Sequence, residues 1–239
     1  MIRQHMMGHI EGERNFRWRG GETTRLEGFS DAVFAFAVTL LVVSLEVPKS
    51  FHDLMVVMRG FPAFGICFAL LALTWHNHCR FFRRYGLQDS WATFLNCVLL
   101  FFVLLYVYPL KFLFFTMFGS GEKFEAWDAR TLFVIYGSGY AAVFLTFALL
   151  YWHAWRKRDA LDLDEIERLR TRHSLFDHLG MVVVGLASAL LAVTLPQHLV
   201  GLAGWFYFVI GIYFTVAGTV YGKRERALVR RMGRNQGQP

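Results

Sequence analysis

The sequence predicts an all-α integral membrane protein with six transmembrane helices and with both termini on the cytoplasmic side. Its composition excludes an ordinary soluble domain, because 55% of the 239 residues are hydrophobic, only 18% are charged and the mean hydropathy is +0.37. The apolar residues fall in runs long enough to cross a bilayer, whose hydrocarbon core needs about 20 residues of helix. The basic residues gather in a few segments between those runs, which indicates membrane topology.

Six apolar runs reach this length, and polar or charged segments separate them. The predicted spans are Phe29–Val47, Val56–Trp75, Trp91–Phe114, Leu132–Trp152, Leu179–Leu195 and Val200–Tyr221. Pro196 ends the fifth run, so we expect a short turn at 196–198 and a tight hairpin with the sixth. The mixed charges of residues 156–172 predict a solvated helix that extends from the fourth span.

The positions of the basic residues predict the orientation. Twenty of the 25 lysine and arginine residues lie in the N-terminal arm, after the second span, between the fourth and fifth spans, and in the tail. The positive-inside rule therefore places these segments and both termini in the cytoplasm, in agreement with an even number of spans. We expect a cytoplasmic arm at 1–24, a membrane domain at 25–222 and a basic cytoplasmic tail at 223–239, in a multi-pass protein of the cell membrane.

Other classes of function fit the sequence less well. The net charge of +7 is divided among separate segments and forms no aromatic-interleaved stripe, so nucleic acid is not an expected partner. The first apolar run follows a long charged arm, and its Ala35-Phe36-Ala37 triplet lies too early in the run for a cleavage site. The three cysteines lack a C-x-x-C spacing, which favours reduced packing residues at Cys67, Cys79 and Cys97.

The first span begins with a charged motif. Arg25 precedes Phe29, Ser30 and Asp31, and the apolar run continues directly from them. A carboxylate at a bilayer edge is unfavourable unless it is paired, so Asp31 is expected to take part in a polar network. Its natural partner is Arg25 or a cation from another helix.

This motif, Arg25-x-x-x-Phe29-Ser30-Asp31 followed by an alanine- and phenylalanine-rich run, resembles the signature of the transmembrane protein 175 family. The family includes lysosomal potassium channels of animals and smaller prokaryotic relatives with one six-helix unit per chain. The resemblance implies a potassium-favouring cation channel that assembles as a homotetramer in the lipid bilayer. It implies a central pore lined by the first helices, no T-V-G-Y-G filter, no enzyme activity and no cofactor beyond the permeant potassium ion.

The same resemblance implies a role for one face of the first helix. At about 100° per residue, Ala32, Phe36, Thr39, Leu40 and Val43 share a stripe, and Asp31 lies away from it. The resemblance implies a hydrophobic constriction at Phe36, where many relatives carry isoleucine, with Thr39, Leu40 and Val43 continuing the lining. Without the family resemblance, Phe36 and Leu40 would be interpreted as ordinary packing residues.

A second group of polar residues lies at the cytoplasmic ends of the first two spans. Arg25, Asp31, His76 and His78 could form a network that holds the two helices together. A role in gating or proton transfer is the alternative, since histidine titrates near physiological pH. His76 and His78 point about 200° apart on a helix and make a poor metal pair. A proton-conducting channel or a proton-linked carrier therefore stays open as a second function.

Two glycine patterns remain. The segment Tyr136-Gly137-Ser138-Gly139-Tyr140 is the nearest match to a carbonyl filter, but it lies inside the fourth span and favours close helix packing. Gly204, Gly211 and Gly218 recur every seven residues in the sixth span. This smooth strip fits packing within one subunit and packing between subunits equally well.

Overall fold

A bundle of antiparallel helices forms the protein in a computed structural model, which describes residues 16–43, 49–59, 61–118 and 126–236. No strand ladder occurs among its elements over these ranges. The helices are α1 Arg25–Val43, α2 Phe51–Arg59, α3 Phe61–Tyr85, α4 Ser90–Phe118, α5 Ala126–Arg156, α6 Glu165–Thr194, α7 Leu202–Trp205 and α8 Val209–Gln236.

Four helical stretches are long and apolar enough to cross a membrane, and a fifth is added if α2 and α3 count as one bent span. The four are Ser90–Phe112, Ala129–Arg156, Glu165–Thr194 and Gln197–Arg231. Helix α1 is not among them, because its described part opens with Arg25, Glu27 and Asp31 before its apolar run begins. The end of the predicted first span, at 44–47, lies outside the described residues.

Side-chain caps set where several helices begin. The amide of Thr24 donates to the Glu27 carboxylate and the amide of Glu27 donates to the Thr24 hydroxyl, which is a capping box at the start of α1. Asp164 and Glu167 form the same device at the start of α6. At α4, the Asp89 carboxylate accepts from the amides of Trp91 and Ala92. These caps satisfy amides that have no partner within their own helix.

The second span differs from its prediction. The sequence predicts one helix at Val56–Trp75, but α2 ends at Arg59 and α3 runs from Phe61 to Tyr85, with a bend of 43° between them. Helix α3 therefore continues past the predicted boundary through residues 76–85. Gly86, with a φ of +59°, ends it in the left-handed region that glycine adopts without strain.

The connection between α5 and α6 corrects another prediction. We expected a helix extending from the fourth span, but α5 ends at Arg156 and residues 157–164 form turns. Asp162 has a φ of +47°, and Asp164 caps the next helix in an extended conformation. A helix cannot continue through these two conformations, so the charged residues from Glu165 onward belong to α6.

The hairpin predicted at Pro196 is present. Helix α6 ends at Thr194, and a 3-10 turn at Gln197–Leu199 leads into α7. A second 3-10 turn, Phe206–Phe208, precedes α8, which is helical as far as Gln236. Much of the predicted basic tail is therefore a continuous extension of the last helix.

Both described ends of the chain lie at one end of the bundle, which we call the basic end. Helices α1, α4 and α6 begin there, and α3, α5 and α8 end there. The described part of the predicted N-terminal arm, residues 16–24, is docked against it, since the amides of Arg19 and Gly20 donate to the Arg83 carbonyl oxygen at 3.1 and 3.0 Å. A Cβ on Gly20 would lie 2.8 Å from the Phe82 carbonyl oxygen, so this close approach requires glycine.

Glu167 ties the arm to the second half of the bundle. Its side chain has no exposed surface, and it accepts from the Arg17 amide at 2.8 Å and from Arg19 Nη2 at 2.6 Å. Arg19 Nε also donates to the carbonyl oxygen of Leu161 at 2.7 Å. The arm that leads into α1 is therefore fixed to the α5–α6 turn as well as to the end of α3.

A neighbouring ion pair joins the first and second halves of the chain. Asp89 lies 2.7 Å from Lys157 Nζ and 3.0 Å from His153 Nε2. Partial burial alone would raise the pKa of the Asp89 carboxyl, but these hydrogen bonds and that of the Ala92 amide hold its pKa well below the usual range. The start of α4 is thereby linked to the end of α5.

Candidate pore-lining helix

Helix α1 rests on α3 and α4 through one narrow face. Its fully buried residues are Ser30, Phe34, Ala37 and Leu41, spaced by three or four positions. This spacing is the apolar stripe of a helix packed on one side. Phe34 also lies against the His78 ring, with 5.7 Å between ring centroids.

A chain of buried hydrogen bonds crosses this interface. Asn96 Nδ2 in α4 donates to Ser30 Oγ at 2.9 Å, and Asn96 Oδ1 accepts from His78 Nε2 of α3 at 2.7 Å. Ser30 Oγ in turn donates to the Leu26 carbonyl oxygen at 2.8 Å. Because an amide oxygen only accepts, His78 carries its proton on Nε2. One amide therefore joins three helices inside the bundle.

Asp31 has a different partner from the one expected. Its carboxylate accepts a hydrogen bond of 2.7 Å from the indole Nε1 of Trp75 in α3. Over the described ranges no ion pair joins Asp31 to Arg25, which is exposed. The two residues are six positions apart and so point about 120° away from each other on the helix. His76 is also exposed, so the structure brings Ser30 and His78 together but leaves Arg25 and His76 outside that network.

The opposite face of α1 has no partner within the described chain. Phe36 is 56% exposed, and Ala32, Thr39 and Phe29 are also exposed. We call Phe29, Ala32, Phe36 and Thr39 the open face. Leu40 lies at its edge, half-buried against the core. Val43 ends the helix, and its side chain lies outside what the structure describes.

The open face is mostly apolar, with one hydroxyl near its centre. Thr39 Oγ1 donates to the Ala35 carbonyl oxygen at 3.0 Å, so its oxygen keeps its lone pairs free to accept. No group of three or more metal-ligating side chains occurs within the part of the chain that the structure describes. The face therefore offers a contact surface of low polarity and one neutral oxygen ligand.

Comparison with known proteins identifies the family. A protein of Marivirga tractuosa named "Potassium channel" is 39% identical over 233 residues, which cover 90% of this chain and 94% of that relative. The family described as "Endosomal/lysosomal potassium channel TMEM175" matches residues 25–106, from the start of α1 into α4. The chain belongs to the TMEM175 family. The resemblance carried by the motif at Arg25–Asp31 is thereby confirmed.

Two solved TMEM175 structures share this architecture. The crystal structure of a variant of the potassium channel MtTMEM175 with a nanobody–MBP fusion protein has a TM-score of 0.78 at 37% identity, covering 90% of this chain and 100% of that chain. A lysosomal potassium-selective channel TMEM175 homolog from Chamaesiphon minutus has a TM-score of 0.55 at 27% identity, covering 81% of this chain and 96% of that chain. A Streptomyces collinus potassium channel is 28% identical over 196 residues, covering 78% of this chain and 91% of that relative.

In this TMEM175 chain, the glycines of the segment 136–140 serve helix packing. They lie inside α5, where a Cβ on Gly137 would come within 2.5 Å of the Gly185 carbonyl oxygen of α6. A Cβ on Gly139 would meet the Tyr106 ring of α4 at the same distance. The expected close packing is therefore present on two sides of the segment.

Sequence reasoning missed the two residues that organise the back of α1 in this family member. Asn96 is a lone amide in an apolar run, which is the available sequence signal for a buried hydrogen-bond partner. Trp75 was taken only as the end of a span. Its indole N–H, one turn from His78 on the same helix, was the available donor for Asp31.

Proposed function

We propose that the protein is a potassium-favouring cation channel whose permeation pathway is lined by the open face of α1. Membership of the TMEM175 family supports the channel class, and the names of its relatives support the potassium ion. The observation that carries the pore assignment is the contrast within α1: Phe34 is 3% exposed and Phe36 is 56% exposed. A helix fixed this firmly along its back presents its other side in a defined direction.

The proposal requires several copies of the chain, because one helix face cannot enclose a pathway. We infer a homotetramer in which four α1 helices converge, as the family resemblance implies. Each subunit would contribute six spans, with the basic end and both termini in the cytoplasm. The docking of the arm and the end of α8 at one end of the bundle supports an even number of crossings.

The chemistry of the open face suits a hydrophobic gate. A ring of four Phe36 side chains would narrow the pathway and expel water from it. The Thr39 hydroxyl, about one turn further along, would offer four neutral oxygens that replace part of a cation's hydration shell. Leu40 and Val43 would continue the lining, and no T-V-G-Y-G filter would be needed.

Flux into liposomes tests this function. Purified protein should carry potassium faster than sodium, and Phe36→Ala should raise the potassium flux by widening the constriction. Phe101→Ala removes a similarly exposed ring from α4, outside the open face, and is the matched control that should leave flux close to that of the wild type. An absence of potassium flux from both wild type and Phe36→Ala, in folded oligomers, would contradict the proposal.

A proton-conducting channel or proton-linked carrier is the second candidate, and one observation favours it. His78 Nδ1 is buried and has no hydrogen-bond partner within the described residues, beside a chain of hydrogen bonds that reaches α1. Proton entry measured by a pH-sensitive dye, abolished by His78→Gln and independent of potassium, would favour this function. Potassium flux that persists in His78→Gln would favour the channel.

A further inference from the structure

On each of three helices, the exposed apolar face ends at an arginine whose guanidinium group packs on an aromatic ring of the same helix. The guanidinium carbon of Arg156 lies 5.0 Å from the Trp152 ring centroid in α5. In α6, Arg172 lies 5.6 Å from the Phe176 ring, and in α8, Arg224 lies 6.0 Å from Tyr221. We call Arg156, Arg172 and Arg224 the arginine belt.

The belt faces away from the bundle. On α6, Arg172 lies in line with a row of exposed apolar side chains, which comprises Phe176, Leu179, Val183, Leu186 and Leu190. These positions recur every three or four residues, so they form one stripe along the helix. A stripe of this kind on a membrane helix contacts acyl chains, and Arg172 lies at its cytoplasmic limit in the proposed orientation. Trp152 and Arg156 repeat the arrangement on α5.

Contacts between α6 and α8 place two belt arginines at the same depth. The His173 and Tyr221 rings stack with their centroids 3.7 Å apart, and Arg170 forms an ion pair with Glu225. Arg172 lies between 170 and 173, and Arg224 lies between 221 and 225. Both guanidinium groups therefore reach the same layer of the membrane.

The belt arginines also differ in charge balance from neighbouring arginines. Arg168 is paired with Asp159 at 2.8 Å, Arg170 with Glu225, and Arg19 with Glu167. Within the described part of the chain, no carboxylate lies within ion-pair distance of Arg156, Arg172 or Arg224. Their positive charges are not neutralised by the described residues of the subunit.

We propose that the arginine belt binds the phosphate groups of anionic phospholipids. The guanidinium fork matches phosphate geometry, and the aromatic ring beneath it fixes the side chain at headgroup level. A second copy of the chain is a poorer fit, because most acidic groups near the basic end already accept hydrogen bonds or ion pairs, among them Asp89, Asp159, Asp164, Glu167 and Glu225. The occupant is therefore a lipid whose tails cover the apolar stripes.

Competitive lipid retention tests this inference independently of ion flux. Detergent-solubilised protein is mixed with equal amounts of phosphatidylglycerol and phosphatidylcholine of identical chains, and the lipids retained are counted by native mass spectrometry. We expect the wild type to prefer phosphatidylglycerol. The triple variant Arg156→Gln, Arg172→Gln, Arg224→Gln should reduce that preference by at least about fivefold, because one arginine near the membrane surface already contributes about that factor. Raising the salt concentration should weaken the preference in wild type.

A matched pair on one helix provides the control. Arg168 and Arg172 lie one turn apart on α6, but only Arg168 has a carboxylate partner. Arg172→Gln should reduce the preference for phosphatidylglycerol, Arg172→Lys should keep most of it, and Arg168→Gln should leave it unchanged. Equal losses in Arg168→Gln and Arg172→Gln would overturn the proposal, as would a salt-independent preference in wild type. The proposal would also be overturned if Arg172→Gln changed the size of the oligomer and left the lipid preference unaltered. That result would mean that the belt contacts protein.

Discussion

Helices α1 and α8 both leave a long face uncovered, but among the described residues only α1 buries side chains along its back. Four buried residues, a chain of hydrogen bonds through Asn96 and the docked arm hold α1 against three other parts of the bundle. In the stretch Gln197–Arg231, which ends in α8, 12% of the apolar segment is buried, against 39% for α4, α5 and α6. A firmly positioned open face suits a permeation pathway, and a loosely held one suits contact with lipid.

The largest expected effect lies on the back of α1. Phe34→Ala should lower the free energy of unfolding by about 3 to 5 kcal/mol, because a fully buried ring is removed from the interface with α3. Phe36→Ala, two residues away on the open face, should change it by less than about 1 kcal/mol. Thermal unfolding of both variants in the same detergent measures the difference. Equal destabilisation would mean that the two faces of α1 are equally packed.

The arm provides the next test of how α1 is held. Glu167→Gln should cost about 3 kcal/mol, because it leaves Arg19 beside a buried neutral group. The freed arm should then be cleaved by trypsin after Arg17 or Arg19. Glu165→Gln, on the same turn but exposed, is the control and should resist cleavage as the wild type does. Unchanged protection in Glu167→Gln would show that the arm is held by other contacts.

The buried amide has a smaller expected effect. Asn96→Leu should reduce stability by about 2 kcal/mol, since Ser30 and His78 lose their partner inside the bundle. Cys97→Ala, at the exposed neighbouring position, should be close to neutral. If Asn96→Leu melts at the temperature of Cys97→Ala, the hydrogen bonds across the three helices contribute little to positioning α1.

The smallest effect is expected on α8. Phe214→Ala should change stability by no more than about 0.5 kcal/mol, because the residue is 41% exposed on the surface of α8 and detergent or lipid replaces its contacts. The measurement is the same thermal unfolding, compared with Phe34→Ala. A loss as large as that of Phe34→Ala would show that α8 packs against another subunit, and the comparison between the two helices would then fail.

The sequence predicts much of this architecture, because the long apolar runs mark the membrane helices and Pro196 marks the turn after the fifth run, and both are local signals. The family could be predicted from Arg25–Asp31, because these residues resemble the family's signature at the start of the first helix. The bend between α2 and α3 was missed, although Gly60 followed by Pro62 is a local sequence signal for a break in a helix. The length of α8 was also missed. Its last turns are polar, so the apolar run that marks the span ends before the helix does.

The back of α1 was harder to predict than its open face. Spacing places Phe36 and Thr39 on one side of a helix, and both are exposed in the fold. The partner of Asp31 depends on where Trp75 lies across two helices, which no local pattern determines. Arg25 is the nearest cation in sequence, but the turn of the helix points its side chain away from Asp31.

The claim that the open face of α1 lines the permeation pathway is tested most directly by modifying single introduced cysteines with a thiol reagent and measuring potassium flux. Cys67, Cys79 and Cys97 are first replaced by alanine, and then Thr39→Cys and Leu41→Cys are made separately. Leu41 is buried two residues from Thr39, on the opposite side of the helix. We predict that a charged thiol reagent stops potassium flux through liposomes in Thr39→Cys and leaves Leu41→Cys unaffected. Complete modification of Thr39→Cys with undiminished flux would contradict the account.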